Sequence, residues 1–157
     1  MKIVVGLDST PAAAEALRWA ARYARAVGAE LHAVHAYVWT DRQSVPVPTG
    51  LAVLDTSDNP RVVEPPEEVS QLFASVQPDP TWTLQAIADD PGPLLTHQAA
   101  GADLLVVGTG EHVGLGRLLV GSVSHYCLSH ATCPVVAVPA PQLLAEAAET
   151  ADPDTAP

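Results

Sequence analysis

The sequence predicts an α/β domain, a parallel sheet of five strands with helices on both faces. Three observations predict it. Short apolar runs alternate with stretches of helical spacing along residues 1–139, beginning and ending on a strand. The runs Ile3–Leu7, Ala102–Val107 and Pro134–Pro139 carry almost no polar residues, the pattern of strands covered on both faces. The helices between them are punctuated by caps, with Asp8, Ser9, Thr10 and Pro11 before the first helix and glycines at 28 and 101 behind two of them.

Composition sets the bounds. A chain of 157 residues that is 48% apolar fits one domain with a real core. Its 18 acidic residues against 7 Lys plus Arg leave a formal charge of −11, which disfavours DNA, RNA or an anionic membrane as partners. Met1 leads straight into an apolar strand with no charged leader before it, and no run approaches membrane-spanning length. Cys127 and Cys133 match no metal spacing and read as a reduced pair. A cytoplasmic protein is expected.

The first strand covers Ile3–Leu7. The helix after it, Ala12–Val27, places Leu17, Ala20, Ala21, Ala24 and Val27 on an apolar face, with Arg18, Arg22 and Arg25 as a basic outer stripe. Glu30–Val38 is the second strand. From 39 to 66 the periodicity is lost among prolines 46, 48, 60, 65 and 66, so a long loop is expected, mobile or folded over a pocket mouth with Tyr37 and Trp39 as anchors. A short helix starts at Pro66, a strand covers Thr81–Ala88, and a helix runs from Pro91 to Ala100. The fourth strand, Ala102–Val107, leads through glycines into a helix from about Arg117 to His130. Pro134–Pro139 is the last strand. Residues 140–157, rich in Ala, Pro, Glu and Asp, read as an acidic, solvated and disordered tail.

Ligands in such sheets bind at the carboxyl ends of the strands, where the winding reverses. Asp8, the residues after Val34, and Gly108 fall at strand ends. The stretch Gly108–Ser122 passes from a buried strand through glycines into a helix. It reads in two ways: as an anion pocket, where backbone N–H groups and a helix dipole meet a phosphate, or as a tight connection with no ligand. Asp8 is either a ligand contact or a cap of the first helix, and Ser122 and Ser124 are either phosphate contacts or helix-start hydrogen bonders. Glu111 beside His112 is the acid–base pair placed in this stretch. His32 and His35 face opposite sides of their strand, one of them as a satisfied interior side chain. His125 and His130 are too far apart in angle to share a ligand, and no metal site is expected.

The motifs carry a resemblance. Ile3–Asp8 with Ser9, Thr10 and Pro11, then Leu31–Ala36, then Ala102–Gly108 followed by Leu118–Ser124 and His130–Val138, together resemble the universal stress protein (UspA-like) family over nearly all of residues 1–139. The resemblance implies a Rossmann-like five-stranded parallel sheet of order 3-2-1-4-5. It implies a two-fold dimer through the uncharged last strand, Pro134–Pro139. It also implies an adenine nucleotide, ATP in some members. The family's motif has a glycine, two residues, a second glycine, nine residues, a third glycine and then Ser or Thr. Gly108 takes the first position, and Gly121 and Ser122 the last two. The middle glycine is Glu111 here, and Gly110 stands where many members carry a base. By the same resemblance Asp8 reaches the nucleoside or a metal and Ala36 offers backbone groups to a base. Val107 and Gly108 flank the sugar, with Ser122 and Ser124 on the phosphate side.

Glu111 works against a triphosphate. Two like charges about 4 Å apart cost roughly 4 kcal/mol at a surface-like dielectric. Three functions fit these residues: a nucleotide-responsive binding module without robust catalysis, a member that has lost ATP and works through dimerisation and partners, and an enzyme using Glu111 and His112.

Overall fold

The computed structural model describes residues 1–37, 61–109 and 122–141. The first strand, β1 (Lys2–Gly6), ends at a corner held by side chains, and α1 (Pro11–Val27) begins with Thr10 as its cap and proline in its first turn. Gly28 closes α1 at φ 65°, the left-handed conformation that a helix stop favours and that glycine adopts without strain. Then come β2 (Glu30–Ala36), β3 (Arg61–Val63) and α2 (Glu67–Ser75). The chain continues through β4 (Thr83–Ala88), α3 (Pro91–Gln98), β5 (Leu104–Thr109), α4 (Ser122–His130) and β6 (Val135–Pro139).

The six strands form one sheet in the order β3-β4-β2-β1-β5-β6. The five strands from β4 to β6 are mutually parallel, and they carry the expected 3-2-1-4-5 order. The sixth is a correction to the sequence reading. Residues 61–63 fall inside the expected 39–66 loop, yet they pair antiparallel with β4, Val62 opposite Ile87. Prolines at 60 and 65 bracket this piece. A residue that cannot donate to a ladder limits such a strand to a short edge position, which is where it lies. Residues 38–60 of the loop, with Trp39, lie outside the described residues, as do residues 142–157 of the tail.

The sheet separates two apolar layers. Ile3, Val5, Leu31 and Ala33 point to α1 and α2, meeting Ala16, Leu17, Ala20 and Val69. Val4, Val34, Ile87, Leu105 and Val107 point the other way, to Leu94 and Leu95 of α3 and Cys127 of α4. Both faces being covered explains why the strands read as unbroken apolar runs. Alanines at 16, 20 and 24 are fully buried, so α1 lies close on the sheet while its arginines at 18, 22 and 25 stay outside. Val27, counted with the apolar face, is instead 44% exposed in the last turn beside Gly28. The winding runs from β1 through β2 to β4, then crosses back to β5 and β6, so it reverses between β1 and β5.

Among the described residues no helix is long and apolar enough to cross a membrane. Both cysteines are unbridged. Burial pushes the Cys127 thiol up to about 11, with the nearby Cys133 adding to the effect, and burial also raises Cys133. Since the thiolate is the reactive form, a thiol reagent at pH 8 should label the partly exposed Cys133 and leave Cys127 untouched until guanidinium unfolds the chain. Rapid labelling of both in native protein would contradict the packing of α4.

Candidate functional site

The corner after β1 is built from three hydrogen bonds. Asp8 Oδ1 accepts from the Thr10 amide at 2.8 Å and from the Thr10 hydroxyl at 2.6 Å. That hydroxyl in turn accepts from the Ala13 amide at 3.2 Å, satisfying one of the donors that a helix start leaves open. The cap of α1 is therefore Thr10, and Asp8 acts one step back by orienting it. Asp8 Oδ2 makes no hydrogen bond among the described residues, and the side chain is exposed.

Gly108, near the end of β5, faces this corner. A Cβ there would lie 2.6 Å from both the carbonyl carbon and the carbonyl oxygen of Ala12, and 2.9 Å from the Ala13 nitrogen. Backbone cannot move aside as a side chain can, so glycine is required for α1 to sit down on β5. This requirement exists without any phosphate. α4 begins with Ser122, which is exposed, while Ser124 two residues on is only 1% exposed.

These parts surround a cleft of about 490 Å³ at the carboxyl ends of β1, β2 and β5. Asp8, Ala36, Val107, Gly108, Ser122 and Ser124 all line it. Gly121, Glu111 and His112 lie outside the described residues. The structure adds lining residues that the sequence reading missed, chiefly Thr10, Val34, Pro91 and Leu95. Pro91 had a signal. Like Pro11 it follows a strand and acidic residues and opens a helix, the pattern that had already marked the Asp8 corner.

The chemistry of the cleft is two-sided. Val34, Ala36, Leu95 and Val107 give an apolar wall, suited to a flat or aliphatic group. The opening turns of α1, α3 and α4 line the rest, and each helix start brings roughly half a positive charge from its dipole. Asp8 supplies an acceptor between the two. An apolar body carrying hydroxyls and a small anion would match all three. Among the described residues no cluster of three or more His, Cys, Asp or Glu is arranged to hold a metal ion.

The two strand histidines divide as their spacing requires. His35 Nδ1 lies 2.8 Å from the Leu7 carbonyl. His32 Nδ1 lies 3.0 Å from the Thr83 hydroxyl, while its Nε2 is buried without a hydrogen-bond partner. The Glu30 carboxylate is 3.6 Å from that Nε2, an ion-pair distance only for a protonated ring and too long for a hydrogen bond.

The model of the universal stress protein family matches residues 1–139. The chain belongs to the universal stress protein family. A universal stress protein of Mycobacterium tuberculosis is 34% identical over 144 residues, covering 87% of this chain and 46% of that protein. The chain thus spans about half the length of the curated relatives it matches. Solved universal stress proteins share the fold. One, described in complex with cAMP, superposes with a TM-score of 0.59 at 20% identity, over 88% of this chain and 95% of its own. Another, from Archaeoglobus fulgidus in complex with dAMP, gives 0.58 at 20% identity, over 88% and 97%.

The glycines of the two strand ends make a controlled comparison. Gly108→Ala should cost about 1–3 kcal/mol in urea unfolding, because the new methyl meets helix backbone. Gly6→Ala should cost less, because its methyl would meet Leu95 Cδ1 at 2.8 Å, the free end of a side chain that can turn away. Equal stability of Gly108→Ala and wild type would show that α1 does not rest on β5 as described.

Proposed function

We propose that this universal stress protein domain binds an adenine nucleotide with a short phosphate chain in the cleft between β1 and β5, and works as a ligand-responsive binding module. The observation that carries this reading is the convergence of Asp8, Ala36, Val107, Gly108, Ser122 and Ser124 on one cleft with an apolar wall and three helix starts. Family structures described with cAMP and dAMP support the same ligand class. In this reading the base lies against Val34, Leu95 and Val107 beside the backbone of Ala36. Asp8 Oδ2 accepts from ribose hydroxyls, and the first turns of α1 and α4, with Ser122, receive the phosphate.

Glu111 makes the phosphate chain the point of discrimination. It stands between Gly108 and Ser122, in the register of the family's middle glycine. A carboxylate there repels each further phosphate, so AMP and cyclic nucleotides bind better than ATP. The unbridged cysteines support a reducing, cytoplasmic setting. Among the described residues β6 is an edge of the sheet, uncharged and half-buried, and we propose that it pairs with the same strand of a second copy.

Calorimetry with AMP, cAMP and ATP tests the ligand. Wild type should prefer AMP, and Glu111→Gly should tighten ATP binding at least about tenfold, roughly 1.4 kcal/mol, with the gain shrinking as salt rises. Glu111→Gln, which removes charge but keeps bulk, should recover most of that gain. Tight ATP binding by wild type would sink the role of Glu111, and no AMP binding would sink the nucleotide reading. For assembly, sedimentation at micromolar concentration should show a dimer that Val136→Lys dissociates. A monomeric wild type, or an intact dimer after the substitution, would rule out pairing through β6.

A further inference from the structure

The sheet opens at the cleft because one rung of its ladder is missing. The β1–β2 pairing ends at Gly6 opposite Val34, and the Leu7 amide still donates to the Val34 carbonyl at 2.9 Å. In a parallel ladder the next bond runs from the Ala36 amide to the Leu7 carbonyl. Among the described residues that bond is not made. Farther along β2, the Tyr37 amide donates to the Ile87 carbonyl of β4 at 2.8 Å, so this end of β2 stays tied to β4 while it leaves β1. The Leu7 carbonyl has another partner: His35 Nδ1 donates to it at 2.8 Å.

We propose that His35 is a positioning residue whose imidazole replaces the last rung between β1 and β2, holding the Leu7 carbonyl and leaving the Ala36 amide open to the cleft. A carbonyl oxygen can only accept, so the proton must sit on Nδ1. A half-buried carbonyl without that donor would recover its bond most directly by closing onto the Ala36 amide, since both groups already belong to the same ladder. Closure would draw β2 toward β1 beneath the cleft and consume a donor on its wall. The effect extends past Leu7, because the next residue is Asp8, whose Oδ1 orients Thr10 and through it the start of α1. One side chain on β2 thereby sets both a donor for the ligand and the corner that carries Asp8. His35 itself is not among the residues lining the cleft, so a direct ligand contact is not part of its role.

Only the ligand arm of the test rests on the nucleotide reading. The first measurement uses unmodified, nitrogen-15-labelled protein. The His35 ring should show the proton on Nδ1, and a ring protonated only at Nε2 overturns the proposal. The second compares wild type, His35→Phe and His35→Gln by amide hydrogen exchange at Ala36. Phenylalanine keeps bulk without a donor, and the Ala36 amide should then exchange at least about tenfold more slowly as the rung closes. Glutamine supplies an N–H, and exchange should return toward the wild-type rate. An Ala36 amide equally exposed in all three proteins overturns the proposal. In the ligand arm AMP affinity should fall about tenfold in His35→Phe and recover to within about threefold in His35→Gln. Unchanged AMP affinity in His35→Phe overturns the positioning role. Failure of wild type to bind AMP removes the nucleotide reading, and the Ala36 exchange then decides the matter alone.

Discussion

The first turn of α1 lies against the end of β5 with no room for a side chain between them. Ala12 comes so near Gly108 that even a methyl group would overlap its carbonyl. That approach seats the start of α1, and with it the Asp8 corner, directly against the end of β5. The Thr10 cap fixes the direction of the helix start, and Asp8 fixes Thr10. A loop of ordinary length could not hold Asp8 and three helix starts in fixed relation to a cleft. A helix seated on a buried parallel strand can.

The cleft is locally attractive to an anion in a protein whose overall charge opposes one. The formal charge of −11 acts at long range and is screened within about 8–10 Å at moderate salt, whereas oriented N–H groups at helix starts act at contact. The apolar wall of Val34, Leu95 and Val107 adds an uncharged surface beside those helix starts. The sheet and helices create the cleft, and under the proposed reading Glu111, in the connection from β5 to α4, limits how much negative charge it tolerates.

Much of the fold was legible in the sequence because the relevant forces are local. Unbroken apolar runs marked buried parallel strands, Thr10 with Pro11 marked a helix start, and Gly28 and Gly101 marked positive-φ stops. What escaped depended on distant partners. Residues 61–63 are too few to show alternation, and their strand exists only because Ala86–Ala88 offers a free edge. Gly108 read as part of an anion pocket or of a tight connection with no ligand, and its nearest constraint is a helix about a hundred residues earlier. Asp8 looked like a cap or a ligand contact, and it braces the residue that caps. His35 looked like one of two strand histidines, and nothing in its neighbours along the chain reveals that its ring meets Leu7. Leu95 reads as an ordinary core residue of α3, and only the close approach of that helix to Gly6 brings it to the cleft wall.

Amide chemical-shift mapping during an AMP titration tests most directly the proposal that an adenine nucleotide occupies the crevice where the sheet reverses its winding, since it reports position as well as binding. A nucleotide seated there should shift Leu7–Ala13, Val34–Ala36, Val107–Gly108 and Ser122–Ser124 most, with little change along the Arg18, Arg22 and Arg25 face of α1. Shifts centred on that basic face, or a spectrum unchanged at millimolar AMP, would contradict it.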